Sequence, residues 1–274
     1  MGGLRRDCYL AHVQSWGTLA MIARRRHGAR AEQTLLGVSI AEEKGRMRTV
    51  LWDLDGTLAD TEELHFQAWA QTMAAQGIAY DYEMFIAGFG RNNRSVLTEL
   101  LGVDGLDPRI DDVARRKEQT FRALLAQADL QLLPGVQAWL AGFDQAGVRQ
   151  VISSSGPMAN IAATVAKLGV GDYFVSLMSG ATLPRGKPDP ALFHLSAAAA
   201  GVPPAACLVI EDSVHGIAAA RRAGMPSIAV GKLAGSAALA GLLAIQPGPP
   251  CAEVSTLNDL TWSTCEQLWE HLYV

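Results

Sequence analysis

The sequence has few cysteines, few charged side chains and no long apolar segment. Its 274 residues include four cysteines, which form no CxxC pair and no regular spacing. This excludes a disulfide framework and is typical of a reducing compartment. No apolar run approaches the roughly 20 residues that a membrane helix needs. With 49% hydrophobic and 18% charged residues the composition is that of a globular protein, and we expect a cytoplasmic protein without a membrane partner.

Acidic side chains are scarce only in the first part of the chain. Residues 1–46 contain eight Lys or Arg and four acids, whereas the rest holds 15 of the 23 basic and 23 of the 27 acidic side chains, a formal charge of −8. Such an acidic body argues against a nucleic-acid partner. It does not exclude an anionic ligand, because a bound metal ion can reverse the local field.

Residues 1–46 show no helix or strand pattern that connects with the rest of the chain. Three interpretations are open: a disordered extension, a targeting segment suggested by Arg24, Arg25 and Arg26, or a translation start assigned upstream of the true one at Met47. We favour the last, because residues 47–50 would then lead directly into the first strand.

The remaining pattern alternates between strands and helices. A buried strand is predicted for residues 48–54, followed by a helical insertion with helices at 62–76, 92–101 and 108–128. The later strands are predicted at 148–152, 173–178, 207–210, 227–230 and 252–255, and the later helices at 136–146, 159–168, 190–200, 214–223, 236–243 and from Ser263. This order predicts an α/β fold with a Rossmann-like parallel-sheet core.

Chemically active side chains follow the predicted strands. Asp53 and Asp55 end the first strand, where an open parallel sheet faces its ligand crevice, and Gly56 can turn the backbone and expose amides to an anion. Ser153 and Ser154 end the second strand and could hold a phosphate at the next helix start. Taken alone, the first stretch is equally compatible with an acidic turn that merely ends a strand. For the second stretch alone, helix-capping serines are the favoured interpretation.

Three further charged residues complete the set. Lys187 lies in a loop whose flanking glycine and prolines fix its position, although a loop lysine is ordinarily just solvated. Glu211 and Asp212 end a core strand, and with the first acid pair they would form a carboxylate cluster that repels itself without a cation. Oxygen ligands of this type suit Mg²⁺.

These residues resemble the four motifs of the haloacid dehalogenase-like hydrolases, in the family's order: DLDGT at 53–57, then Ser153, Lys187 and the pair Glu211-Asp212. The resemblance covers residue 47 to about the end of the chain. It implies that the insertion, residues 62–130, is a small helical cap over a core of residues 47–61 and 131–274.

The resemblance also implies roles for the acids. Asp53 would attack phosphorus and form an aspartyl phosphate, and Asp55 would act as general acid and base. Mg²⁺ would be held by Asp53, the backbone carbonyl of Asp55 and Asp212, with Glu211 near the ion or bound to it through water.

Other residues would bind the phosphoryl oxygens. The resemblance assigns this task to Lys187, Ser153 and the amides around Gly56. We add Ser154 and Thr57 to this candidate phosphate-binding group, with Thr57 as a support of the loop.

Four residues of the insertion are candidate substrate contacts. His65 and Trp69 lie one helical turn apart and match the His-Phe-x-Ala-Trp cap pattern of sugar-phosphate phosphatases and β-phosphoglucomutase. The alternative for His65 is a buried core histidine. Arg91 and Arg94 could reach a substrate hydroxyl or a second phosphate, and as plain surface charges they would need no explanation.

The sequence departs from the mutases of this family in the residues that follow the second-motif serines. They carry Lys and Asn there, whereas this chain has Gly156 and Pro157, and alignment on Gly90 places Asn93 where their second-phosphate arginine stands. We therefore expect a Mg²⁺-dependent phosphatase whose partner is a small phosphorylated metabolite. The alternatives are a β-phosphoglucomutase-like mutase and a silent phosphate-binding regulatory module, and the oligomeric state is not predicted.

Overall fold

The computed structural model describes residues 48–270. The interpretations of residues 1–46 lie outside these residues, as does the proposed start at Met47. No helix of the described segment is long and apolar enough to cross a membrane.

The core is a six-stranded sheet in which all described pairs are parallel. Its strands are β1 (Thr49–Trp52), β2 (Arg149–Ser154), β3 (Ser176–Ser179), β4 (Cys207–Glu211), β5 (Ser227–Val230) and β6 (Cys251–Val254). Their order is β3-β2-β1-β4-β5-β6, so the chain winds outward from β1 in one direction and then in the other. A crevice forms where the winding direction changes, and this places the carboxyl ends of β1 and β4 at the natural ligand position.

Helices cover both faces of the sheet. The core helices are α5 (Val136–Gln145), α6 (Met158–Leu168), α7 (Ala191–Ala200), α8 (Val214–Arg222), α9 (Ala237–Ile245) and α10 (Trp262–Glu270). Residues of α5, α6 and α10 form one apolar cluster with Val50 and Trp52, and α7 and α8 form another with Leu51. Alternation along β1 explains this division. It also directs Asp53 to the same face as Leu51.

Four helices form the insertion: α1 (Glu62–Ala74), α2 (Tyr82–Gly88), α3 (Asn93–Leu101) and α4 (Pro108–Gln127). They share an apolar cluster that includes Trp69, Met73, Phe85 and Leu97. The predicted fold class, a parallel-sheet core with an inserted helical cap, is confirmed, while the exact domain boundaries stay a prediction.

Some predicted bounds were wrong. Helix α2 was not predicted, although Asp81 caps it by accepting a hydrogen bond from Met84 N. Strand β3 begins at Ser176 rather than at Tyr173, because residues Gly171–Tyr173 form a short 3₁₀ turn.

Candidate active site

Three neighbouring strands bring polar side chains to one level of the sheet. Trp52 pairs with Ile152 on one side and with Ile210 on the other. The residues that follow, Asp53, Ser153 and Glu211, therefore stand side by side at the carboxyl edge. All three are buried, so their charges and hydroxyls depend on protein partners rather than on bulk water.

Lys187 joins two of these side chains. Its Nζ lies 2.5 Å from Asp53 Oδ1 and 2.5 Å from Glu211 Oε1. Burial works to lower the pKa of Lys187, but the carboxylates of Asp53 and Glu211 raise it above its usual range. Lys187 is consequently an ammonium ion with 1% exposure, held between two acids from different strands.

Asp212 adds a third carboxylate. One oxygen each of Asp53, Glu211 and Asp212 lies within 4.8 Å of the others. Burial, against the opposing charge of Lys187, raises the pKa of Asp53 to about 8, and nearby Glu211 and Asp55 contribute. Burial likewise raises the pKa of Asp212 well above its usual range. Three buried acids with one lysine cannot all ionise without a further cation, and this all-oxygen donor set fits a divalent cation such as Mg²⁺.

The loop after β1 is shaped around Asp212. Gly56 has φ +87°, and a Cβ placed on it would lie 2.0 Å from Asp212 Oδ2. Thr57 Oγ1 donates to Asp212 Oδ1 at 3.3 Å, so Thr57 supports a candidate metal ligand. Its direct binding of phosphate stays a prediction.

We expect Gly56→Ala to disturb this site beyond its backbone cost. A left-handed backbone conformation costs a non-glycine residue about 1–2 kcal/mol. Gly77→Ala provides a matched control, since Gly77 has φ +72° and, apart from Gly77 itself and its two chain neighbours, no described atom lies within 4 Å of the position that its Cβ would take. Urea unfolding of both variants should show a larger loss for Gly56→Ala, and addition of Mg²⁺ should stabilise Gly77→Ala but not Gly56→Ala. Equal losses and equal Mg²⁺ responses would contradict this prediction.

The second acid of the first motif is bound by Thr61, at the end of the first core segment, and by His65 of the first cap helix. Thr61 Oγ1 donates to Asp55 Oδ1 at 2.7 Å, and His65 Nε2 lies 3.2 Å from the same oxygen. Burial works to raise the pKa of Asp55, but the interactions with His65 and Thr61 lower it to about 2. Asp55 is therefore a carboxylate in this arrangement.

Lys117 of α4 fixes the orientation of His65. Lys117 Nζ lies 2.9 Å from His65 Nδ1. Because an ammonium group can only donate, Nδ1 accepts, which leaves the proton on Nε2 for donation to Asp55. The His65 ring stacks on Phe121, with centroids 3.9 Å apart and planes at 9°. The tautomer and the plane of His65 are thus both set by α4.

A cleft lies between these core and cap residues. Its lining includes Asp53, Asp55, His65, Trp69 and Arg91. Arg91 is paired within the cap, with its Nη1 2.8 Å from Glu99 Oε2. The two acids of the first motif and three of the four predicted cap residues are therefore brought to one cavity, whereas Glu211 and Asp212 are not among the residues that line it.

Three other candidates lie elsewhere or have other partners. Ser153 Oγ donates to Ser196 Oγ at 2.7 Å, because β2 alternation turns it toward α7. Ser154 Oγ accepts from Gly156 N at 3.1 Å, which is a turn contact. Arg94 is not among the residues described as lining the cleft, and its Nη2 instead lies 3.1 Å from Asp111 Oδ1. These are the partners of the three side chains in this arrangement, and their roles as phosphate or substrate contacts stay a prediction.

Comparison with known proteins agrees with the geometry. The sequence profile of the haloacid dehalogenase-like hydrolases matches residues 47–224. The chain belongs to the haloacid dehalogenase-like hydrolases. The prediction of an enzyme of this family is confirmed.

Several relatives of this hydrolase are similar over most of their length. Protein CbbY of Rhodobacter capsulatus is 36% identical over 65% of this chain and 83% of the relative. Beta-phosphoglucomutase of Bacillus subtilis is 31% identical, with coverages of 68% and 84%. Fructose-1-phosphate phosphatase YqaB of Escherichia coli is 32% identical, with coverages of 68% and 97%.

A solved structure shares the fold. The beta-phosphoglucomutase of Clostridium difficile superposes with a TM-score of 0.70 at 23% identity, covering 83% of this hydrolase and 99% of that chain. At this identity the likeness concerns the fold alone.

The sequence interpretation missed three polar residues of this hydrolase's cleft. Lys117, Glu118 and Ser155 all line it, and Ser155 Oγ donates to the cap at Gly90 O over 2.7 Å. A signal for Lys117 was present, since it stands midway between Val113 and Phe121 on the apolar stripe of its helix. A lysine in such a stripe is 3% exposed here. Ser155 carried no separate signal within the run of three serines.

Proposed function

We propose that this protein is a Mg²⁺-dependent phosphatase that hydrolyses small phosphomonoesters, namely sugar or polyol phosphates, through an aspartyl phosphate. One observation carries the proposal: Asp53 is bound by Lys187 at 2.5 Å while Asp55, two residues on, is bound by the cap histidine His65 at 3.2 Å. A nucleophile and an acid–base group thus face one cleft in different environments, which is how paired carboxylates acquire separate roles.

Asp53 is the nucleophile in this proposal. Lys187 engages its Oδ1, and no hydrogen bond to Oδ2 is found among residues 48–270. Oδ2 attacks phosphorus, the bond from phosphorus to the ester oxygen breaks, and Lys187 balances charge on the transferring group. Asp55, a carboxylate in the free site, takes up a proton from solvent before this step and gives that proton to the departing alkoxide. It then takes a proton from water, which attacks the aspartyl phosphate, releases phosphate and restores Asp53.

Mg²⁺ fits beside these residues. Asp53, the backbone carbonyl of Asp55 and Asp212 would hold the ion, with Glu211 near it or bound through water. When bound, the ion would screen the anionic nucleophile from the anionic substrate and stabilise the transferring phosphoryl group. Glu211 has a second task in the protein itself, because its Oε2 accepts from Ser213 N at 2.8 Å and so fixes the start of α8.

The cap side of the cleft suggests the substrate class. Trp69, Tyr80, Phe85 and Phe89 line it together with Arg91. Flat apolar faces with a few polar groups suit the carbon skeleton of a sugar or polyol. The name of the YqaB relative, a fructose-1-phosphate phosphatase, supports the same class.

A mutase is the second candidate. It is favoured by the contact of His65 with Asp55, 3.2 Å between Nε2 and Oδ1, and by the beta-phosphoglucomutase relative. A mutase must hold both ends of a bisphosphate, so it needs a second cationic side chain that binds the second phosphate. The Arg and Lys side chains found on the described cleft wall are Arg91 and Lys117, and both are already paired, with Glu99 and Glu118. We therefore favour hydrolysis.

The test is a phosphate-release screen of the full chain against sugar, polyol and nucleotide monophosphates, with Mg²⁺ or with EDTA. We expect release from one or a few sugar or polyol phosphates that EDTA abolishes. β-Glucose 1-phosphate is assayed in parallel for glucose 6-phosphate. Conversion to glucose 6-phosphate without released phosphate would replace the phosphatase by the mutase, and activity unaffected by EDTA would remove Mg²⁺ from the proposal.

A further inference from the structure

The cap contains a buried ion pair that contacts the candidate catalytic residues through His65. Lys117 and Glu118 of α4 are 3% and 6% exposed, and Lys117 Nζ lies 3.0 Å from Glu118 Oε1. Buried charges are costly unless every polar atom has a partner. The position of Glu118 therefore depends on what surrounds its two carboxylate oxygens.

Glu118 is satisfied by one residue of the cap and one of the core. Asn93 Nδ2 donates to Oε1 at 2.6 Å, and Asn160 Nδ2 donates to Oε2. Asn160 lies on core helix α6 and is 4% exposed. Its own carbonyl oxygen accepts from Arg122 Nη1 at 2.7 Å. Both ends of this core amide are thus used by α4, at positions one helical turn apart.

These contacts continue without a break to the acid–base candidate. Asn160 binds Glu118, Glu118 binds Lys117, Lys117 sets the His65 tautomer, and His65 reaches Asp55. Beside this polar chain, Phe121 and Leu125 of α4 pack with Ala163 of α6 in an apolar contact. The apolar contact has no directional preference. The amide therefore provides buried, directional contacts between α4 and α6.

We propose that Asn160 is a positioning residue that holds the cap in one register against the core, so that His65 meets Asp55 in the reactive arrangement. This inference rests on the proposed function. Asn160 touches neither the substrate nor the reacting atoms in this proposal. It acts through Glu118 and Lys117, and the exchange of a donor for an acceptor at this position should break the register without changing side-chain size.

The test compares Asn160→Asp with the reciprocal double variant Asn160→Asp/Glu118→Gln in the full chain. The single variant sets two carboxylates against each other, whereas the double variant restores one donor and one acceptor. We expect kcat to fall roughly 10- to 100-fold in Asn160→Asp, because small misplacements of reacting groups have effects of this size. KM should change by less than about threefold, and the double variant should recover much of kcat.

Two further variants frame the result. Lys167→Ala removes another contact between α6 and the cap, from Lys167 Nζ to Ala126 O at 3.3 Å, and should leave kcat unchanged. Asn160→Ala removes the amide without adding charge. We expect it to lower kcat as well, by a smaller factor, and it replaces Asn160→Asp in the test if that variant does not fold. A kcat that is unchanged in Asn160→Asp and Asn160→Ala, or equally lowered by Lys167→Ala, would overturn the inference.

Hydrogen exchange separates this inference from the proposed function. Without substrate, backbone amides of α4 and of residues 89–92 should exchange faster in Asn160→Asp and return toward wild type in the double variant. Unchanged exchange would overturn the role of Asn160 whatever the substrate is. A wild-type chain that releases no phosphate from any ester would instead defeat the proposed function, and the exchange experiment would still decide whether Asn160 registers the cap.

Discussion

Asp53→Asn should abolish phosphate release while leaving the fold intact. We expect a loss of roughly 10⁴-fold or more, the scale seen when a covalent nucleophile is removed. The amide is nearly the same size, and its oxygen can still accept from Lys187, which lies 2.5 Å from Asp53 Oδ1. Because burial already raises the pKa of Asp53, a neutral side chain should be well tolerated there. Steady-state phosphate release and urea unfolding measure the two effects separately.

The matched control is Asp172→Asn, the same change at an exposed aspartate. It should retain full activity. Comparable activity of Asp53→Asn and wild type would refute the aspartyl phosphate route, and a variant that is inactive because it is unfolded would be recognised by its urea transition. Acid quenching of wild-type turnover followed by mass spectrometry should place a labile phosphoryl group on the peptide that contains Asp53.

Lys187→Met should have the largest effect on stability. The change removes the ammonium that neutralises Asp53 and Glu211 and leaves their carboxylates facing each other and Asp212 in a buried site. Breaking one side of a buried ion pair typically costs about 3–5 kcal/mol. In EDTA we therefore expect the free energy of unfolding to fall by this amount, and phosphate release to be lost. Urea unfolding at neutral pH measures the first effect.

Lys232→Met tests whether burial is the cause. Lys232 Nζ also contacts a glutamate, Glu62 Oε1 at 3.0 Å, but its side chain is 85% exposed, and exposed pairs contribute about 0–1 kcal/mol. A further check is Mg²⁺, which should restore part of the stability of Lys187→Met because a divalent cation replaces the missing positive charge. Equal urea midpoints for the two lysine variants would show that the buried pair does not stabilise the fold.

Much of the fold could be predicted from local sequence patterns. Strands β1, β4 and β5 are short apolar runs, and α4 begins at Pro108 with Asp107 as its N-cap. The bounds that failed depend on tertiary contacts. Helix α2 has only seven residues, which is too short for periodicity to identify it, and its burial of Phe85 becomes visible only in the cap cluster.

The residues of the candidate site likewise fall into those that local sequence patterns predict and those that depend on tertiary contacts. The strand-end acids could be located because the carboxyl edge of a parallel sheet collects whatever follows each strand. The partner of Ser153 could not be predicted, because Ser196 lies on a helix 43 positions later in the chain. Glu118 and Asn160 carry no local signal, since each is an ordinary polar residue of an amphipathic helix until the two helices meet.

The central position of β1 also determines when the site comes into existence. Asp53 and Lys187 are 134 positions apart, and Thr57 and Asp212 are 155 positions apart. During synthesis the cap helices can collapse locally, but β1 must wait for both of its neighbours, and such distant pairings form late. A nascent chain that has not yet reached β4 therefore has Asp53 without Glu211 and Asp212 beside it. The site is therefore completed only when β4 has paired with β1.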